Sequence, residues 1–196
     1  MIKPLSLFTL IILAVSCSTN KDGTSNIQDI EPVEVDLTTI SKEKQKLVDE
    51  ITVLQKDLEE KRVDRIPDYL DSPKRIEEIE LSTKNAKIRN AIESNSSRLA
   101  TDFIKEQFDL IYTEMDLNLV NEALKTIPKN ELLTRDQVST TIQIDECEYQ
   151  TDVLMKDKEV KFNIKSLTPS ENCKKDQQWK FISNDEFLVL DRRYYL

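Results

Sequence analysis

The chain has no histidine and a single glycine, Gly23, in 196 residues. Histidine most often moves protons near neutral pH and is the commonest metal ligand, so its absence removes His-dependent triads and zincin chemistry. With one glycine, no Gly-rich loop can cradle a phosphate, which excludes P-loop and dinucleotide-binding fingerprints. Basic residues are in deficit, 28 Lys and Arg against 37 Asp and Glu, for a net charge of −9. An acidic surface repels phosphate backbones, so no nucleic-acid partner is expected. No cofactor or metal is expected either. What is abundant is charge, 33% of residues, against roughly a quarter in an average globular chain. The length suits one modest domain or two small ones with a buried core.

Residues 1–16 read MIKPLSLFTLIILAVS, with Lys3 ahead of an apolar stretch from Leu5 to Val15. Such a helix spans about 16 Å, roughly half a bilayer's hydrocarbon core, so it reads as a secretory signal peptide and not a membrane anchor. The segment Ala14-Val15-Ser16-Cys17 resembles the lipobox of bacterial lipoproteins, although Ala14 stands where Leu is commonest. The resemblance implies that Cys17 is lipidated and becomes the mature N-terminus. Ser18, in place of Asp, implies the outer membrane, with the protein facing the periplasm or the cell surface. Ordinary signal-peptidase cleavage after Ser16 is the alternative, and it leaves the same residue first. Residues 17–35 then form a polar tether containing Gly23 and Pro32.

A helical hairpin is expected over residues 36–95. Ile40, Leu47 and Leu54 recur every seven residues, and Leu37, Ile51 and Leu58 fill most offset positions, a short coiled-coil stripe. Pro67 should stop this helix. Ser72-Pro73 should cap a second one running to about Glu93, since Ser followed by Pro is a helix-start signature. Its apolar residues fall on two faces, Ile76 and Ile79 opposite Leu81, Ile88 and Ile92. Leu47, Ile51, Leu54 and Leu58 are the candidate contacts for a protein partner or for self-association.

Residues 96–196 read as an α+β domain. Ser94 to Ser97 marks a break and a fresh cap, after which Leu99 to Met115 covers half a helix circumference. Asp116 should cap a continuation ending at Pro128, so that helices occupy 97–127. From residue 137 the hydrophobic period becomes two: Val138, Thr140 and Ile142, then Tyr149, Thr151 and Val153, then Val160, Phe162 and Ile164. Short turns at Lys156-Asp157-Lys158 and Ser183 to Glu186 make four or five antiparallel strands, covered on one face by the helices. Arg192 to Tyr195 reads as a frayed strand end. The polar turn Lys174 to Gln178 followed by Trp179-Lys180-Phe181 resembles NTF2-like (cystatin-like) domains of envelope proteins. That likeness implies a cavity between sheet and helices, for which Phe103, Phe108, Tyr149 and Trp179 are candidate lining residues.

Cys147 and Cys173 remain as an even pair in an exported chain, so a disulfide is expected. It would close a loop of about 25 residues and contribute roughly 3 kcal/mol. A catalytic thiol would need a neighbouring base, which the missing His does not supply. The acidic run Asp145-Glu146-Glu148 reads as a solvated face. In a folded part without glycine, positive φ angles should fall to residues such as Asn172 or Asn184. The expected function is therefore non-catalytic: a lipid-anchored envelope protein that binds or assembles through its hairpin. A small-ligand carrier and, further off, a His-independent hydrolase are the alternatives.

Overall fold

A computed structural model describes residues 41–168 and 170–196. The signal peptide, Cys17, the tether and the start expected for the first helix lie outside the described residues. The class is α+β, as the change of hydrophobic period at residue 137 requires. Seven α-helices, α1 Lys42–Glu59, α2 Ile66–Tyr69, α3 Ala86–Glu93, α4 Thr101–Glu106, α5 Phe108–Glu114, α6 Leu117–Thr126 and α7 Lys129–Thr134, precede the main sheet. Two-residue strands β1 Lys74–Arg75 and β2 Arg98–Leu99 pair with each other. Strands β3 Gln137–Ile144, β4 Cys147–Lys156, β5 Glu159–Ser166, β6 Gln177–Ser183 and β7 Leu188–Tyr195 form an antiparallel meander in sequence order.

The sheet buries one face. Alternate residues along β4, β5 and β6 point inward, including Tyr149, Val153, Phe162, Ile164, Trp179 and Phe181, and the register pairs Val153 with Phe162 and Phe162 with Trp179. Helix α1 packs on α6 and against β7, and α6 packs on β3. One hydrophobic core runs through all of these elements. Among the described residues no helix is long and apolar enough to cross a membrane.

The expected helical hairpin does not form. Ser41 caps α1 by accepting from the Lys44 amide, but the helix ends at Glu59 and not at Pro67. Lys61 adopts φ 50°, while its N–H reaches the Leu58 carbonyl and that of Arg62 the Asp57 carbonyl. That is a Schellman stop, built here on lysine where glycine is usual. Pro67 sits at the start of α2, where a missing N–H costs nothing. The Ser72–Pro73 bond is cis and leads into β1, and a 3₁₀ turn Ile76–Glu78 follows. Only Ala86–Glu93 of the expected second helix is α-helical, capped by Asn85. Glu80 turns the chain at φ 43°, so Ile79, Leu81, Ile88 and Ile92, on two faces of one long helix, all reach the core.

The boundary expected between residues 95 and 96 is therefore absent, and α1 belongs to the core of the α+β body. Gln107, at φ −115° and ψ 36°, divides the expected buried helix into α4 and α5. Helix α7 follows Pro128, beyond the expected end of the helices at residue 127. Positive φ falls on Asp71, Asp116, Asp145, Asp157 and Asp185 among others, and not on Asn172 or Asn184. Aspartate also tolerates the left-handed region, and Asp145 and Asp157 each open a two-residue hairpin turn.

Candidate functional site

Strict alternation along β7 would follow Leu188 and Leu190 with Arg192 and Tyr194 on the inner face. The strand instead carries a bulge: Phe181 pairs with Leu190 but Lys180 pairs with Arg192, leaving Asp191 unpaired. One extra residue shifts the parity of all that follows. Arg193 is thereby turned into the core opposite Trp179, with no solvent exposure. The expected frayed end is a strand that buries a guanidinium.

Every nitrogen of that guanidinium donates a hydrogen bond. Its Nε donates to Gln177 Oε1 at 3.1 Å and its Nη1 to the Ile79 carbonyl at 3.1 Å. Its Nη2 donates to Asp116 Oδ2 at 3.0 Å and to the Tyr195 hydroxyl at 2.9 Å. The rings of Trp179 and Tyr195 lie 5.2 and 4.7 Å from its carbon, within cation–π range. Gln177 Oε1 also accepts from Trp179 Nε1 at 2.9 Å, while Gln177 Nε2 has no partner.

Asp116 supplies the counter-charge. It holds the position before α6 where a cap was expected, at φ 55° and ψ 34°, but its side chain caps no amide of that helix. A carboxylate between two cations has stronger partners than a backbone N–H. Besides Arg193 it holds the Lys174 ammonium at 2.7 Å, and this contact raises the Lys174 pKa. Lys174 follows Cys173, which is bonded to Cys147. Its backbone N–H donates to the Tyr149 hydroxyl at 2.8 Å. The expected disulfide therefore fastens the loop after β5 to β4 and sets Lys174 over Asp116. Each carboxylate oxygen therefore holds one cation, Oδ1 the Lys174 ammonium and Oδ2 the Arg193 guanidinium.

A second buried carboxylate lies on α1. Glu50 Oε1 accepts from Ser183 Oγ at 2.8 Å, and Oε2 has no partner. Burial raises its pKa, opposed by the Ser183 hydrogen bond and by Lys46. Asp185, in the turn after β6, takes ion pairs from Lys46 and Lys158 at 3.2 and 2.6 Å.

Leu47, Ile51, Leu54 and Leu58 face the protein's own core, each at most 5% exposed. They form the face by which α1 joins α6 and the sheet, so they offer no surface to a partner. The four candidate lining residues do not share a cavity. Phe108 lies 5.5 Å from Tyr112 and borders a surface hollow of about 500 Å³ with Lys61 and Lys105. Phe103 is partly buried against the core. Tyr149 borders a smaller hollow of about 160 Å³ with Asp116 and Lys174. Trp179 stacks on Phe181, next but one along β6, and fills the core with it. Asp145 and Glu146 form the turn between β3 and β4, and among the described residues no cluster of three acidic or sulfur ligands could hold a metal ion.

Sequence reasoning missed Arg193, Gln177 and Glu50. Arg193 became inward-facing only through the bulge, which leaves no local signal. Two hints were legible: Gln177 is in alternation with Trp179 and Phe181 along β6, and Glu50 is on the apolar side of α1, between Leu47 and Leu54. Comparison with protein-family models, curated proteins and solved structures finds no match.

Proposed function

We propose that this is an exported protein, held at the bacterial outer membrane by lipid on Cys17, whose folded body binds or assembles with protein and performs no catalysis. The observation that carries the export half is the Cys147–Cys173 disulfide, since such bonds persist in oxidising compartments. It agrees with the address written in residues 1–17. The reading without catalysis is supported by the buried centre, where Asp116 is paired with two cations and Arg193 donates from all three of its nitrogens, an arrangement that fixes the C-terminal strand and the loop after β5.

The test follows radiolabelled palmitate and membrane partition in cells producing the intact chain and its Cys17→Ala variant. Wild type should take up label and sediment with membranes, and the variant should do neither. An unlabelled wild type, or a variant equally bound to membranes, overturns the lipid anchor.

A further inference from the structure

The two edges of the main sheet are treated in opposite ways. Strand β7 carries Asp191, Arg192 and Arg193 and is bent by its bulge. Its backbone is also covered: Lys74 Nζ donates to the Leu190 carbonyl at 2.7 Å and the Tyr195 N–H to Glu80 at 2.9 Å. Charges, bulges and covering groups are the devices that prevent an edge strand from pairing with another chain. Among the described residues, strand β3 has none of them. Its sequence QVSTTIQI contains no charge, no proline and no glycine, in a chain one-third charged. Val, Ile and Thr fill five of its eight positions, the residues that favour strands.

The open groups of β3 follow from the register. The Met155 N–H donates to the Asp136 carbonyl at 2.7 Å. Val138–Val153, Thr140–Thr151, Ile142–Tyr149 and Ile144–Cys147 are therefore the doubly hydrogen-bonded pairs. The N–H and C=O groups of Gln137, Ser139, Thr141 and Gln143 consequently point away from β4, and all four residues are exposed.

We infer that β3 is an assembly edge, and that its occupant is the β3 strand of a second copy of this chain, antiparallel about a two-fold axis at Thr140. This rests on the reading of the folded body as an assembly module and supplies the surface that the buried face of α1 cannot. Chemistry along the strand selects the occupant. With the axis at Thr140, Gln137 faces the partner's Gln143, Ser139 faces the partner's Thr141, and Val138 faces the partner's Ile142. Polar pairs thus meet on the solvent face and apolar pairs on the core face. The strand's lack of charge lets two copies of a net-acidic chain meet without like charges opposed. The open groups make about eight hydrogen bonds, and two five-stranded sheets become one. Anchorage of both copies to one membrane raises their effective concentration.

The experiment uses the full chain with Cys17 replaced. Purified Cys17→Ala protein, free of lipid and of a third thiol, is examined by sedimentation equilibrium. The expected result is a dimer of the 22.8 kDa chain. Thr141→Pro removes one outward N–H from each strand and no bond to β4, and should weaken the dimer roughly ten- to hundredfold. Thr141→Lys, a charge of the kind that protects natural edges, should do the same if the proline disturbs the strand. Both variants should keep the wild-type melting transition of the isolated subunit.

In the same background, Thr140→Cys should cross-link to itself on mild oxidation. Across the axis the two Cα atoms are about 4.5 Å apart. Gln143→Cys, about 20 Å from its mate, should not cross-link. A monomer, a dimer indifferent to both Thr141 variants, equal cross-linking at 140 and 143, or cross-linking of Thr140→Cys to a different protein each overturns the proposal. Because the lipid is absent from this assay, its outcome is independent of palmitate labelling and membrane partition.

Discussion

Replacing Asp116 by Asn removes the charge opposite a fully buried arginine while keeping shape, one acceptor oxygen and tolerance of positive φ. Asp116 is 8% exposed and Arg193 is not exposed at all, so solvent cannot take over the lost charge. Breaking a buried pair from one side costs about 3–5 kcal/mol, and the acceptor that Asn retains places this variant near 3 kcal/mol. Out of the roughly 5–15 kcal/mol that stabilises a domain, this is a large share. At about 2–4 °C per kcal/mol for a chain of this size, the melting temperature should fall by about 6–12 °C. Lys174→Ala is the internal control, because that side chain is 54% exposed and such contacts contribute about 0–1 kcal/mol. Circular dichroism melts of the oxidised protein read both variants. If Asp116→Asn costs no more than Lys174→Ala, the Arg193 centre is not the anchor of the C-terminal strand and the reasoning fails.

Reducing the Cys147–Cys173 bond, 26 residues apart in sequence, should lower stability by roughly 3–4 kcal/mol in the chain-entropy account, measured as denaturant midpoints with and without dithiothreitol. Leu54→Ala should cost about 2–5 kcal/mol, as any well-packed core leucine does. Since Leu54 is 2% exposed, its loss should act on the fold; an unchanged denaturation midpoint would refute the burial of this face. Glu50 has its folded pKa raised by burial. The folded state therefore holds the proton more tightly than the unfolded chain, so this stabilising contribution is full below the ordinary carboxylate range. It is lost as pH rises through the elevated folded value. Glu50→Gln should remove that slope from a plot of unfolding free energy against pH, and an unaltered slope would refute it.

How far the sequence reveals this protein depends on whether the deciding interaction is local. Alternation in Tyr149-Gln150-Thr151-Asp152-Val153 follows from one buried face, so the strands and their polar turns were legible. The end of α1 was not, because Lys61 closes it in a conformation usually signalled by glycine, and the apolar spacing beyond it still looked helical. The coiled-coil stripe on α1 predicts a face that meets a hairpin mate or a partner, but that face packs on α6, α7 and β7 of the same chain. Periodicity reports that a face is covered and says nothing about what covers it.

Asp116 shows the same limit at a single residue. An aspartate before an apolar run predicts a helix cap from local chemistry alone. The residue does precede α6, but its carboxylate turns to Arg193, 77 positions away in sequence. A side chain offered either a neutral amide or a buried cation bonds the cation, the stronger donor, and only tertiary structure brings the cation there. The bulge at Asp191 brings it, by giving β7 one residue more than β6 can pair. The strand that ends the chain is therefore held by an ion pair whose two halves each carry an ordinary local reading, a helix cap and a frayed end.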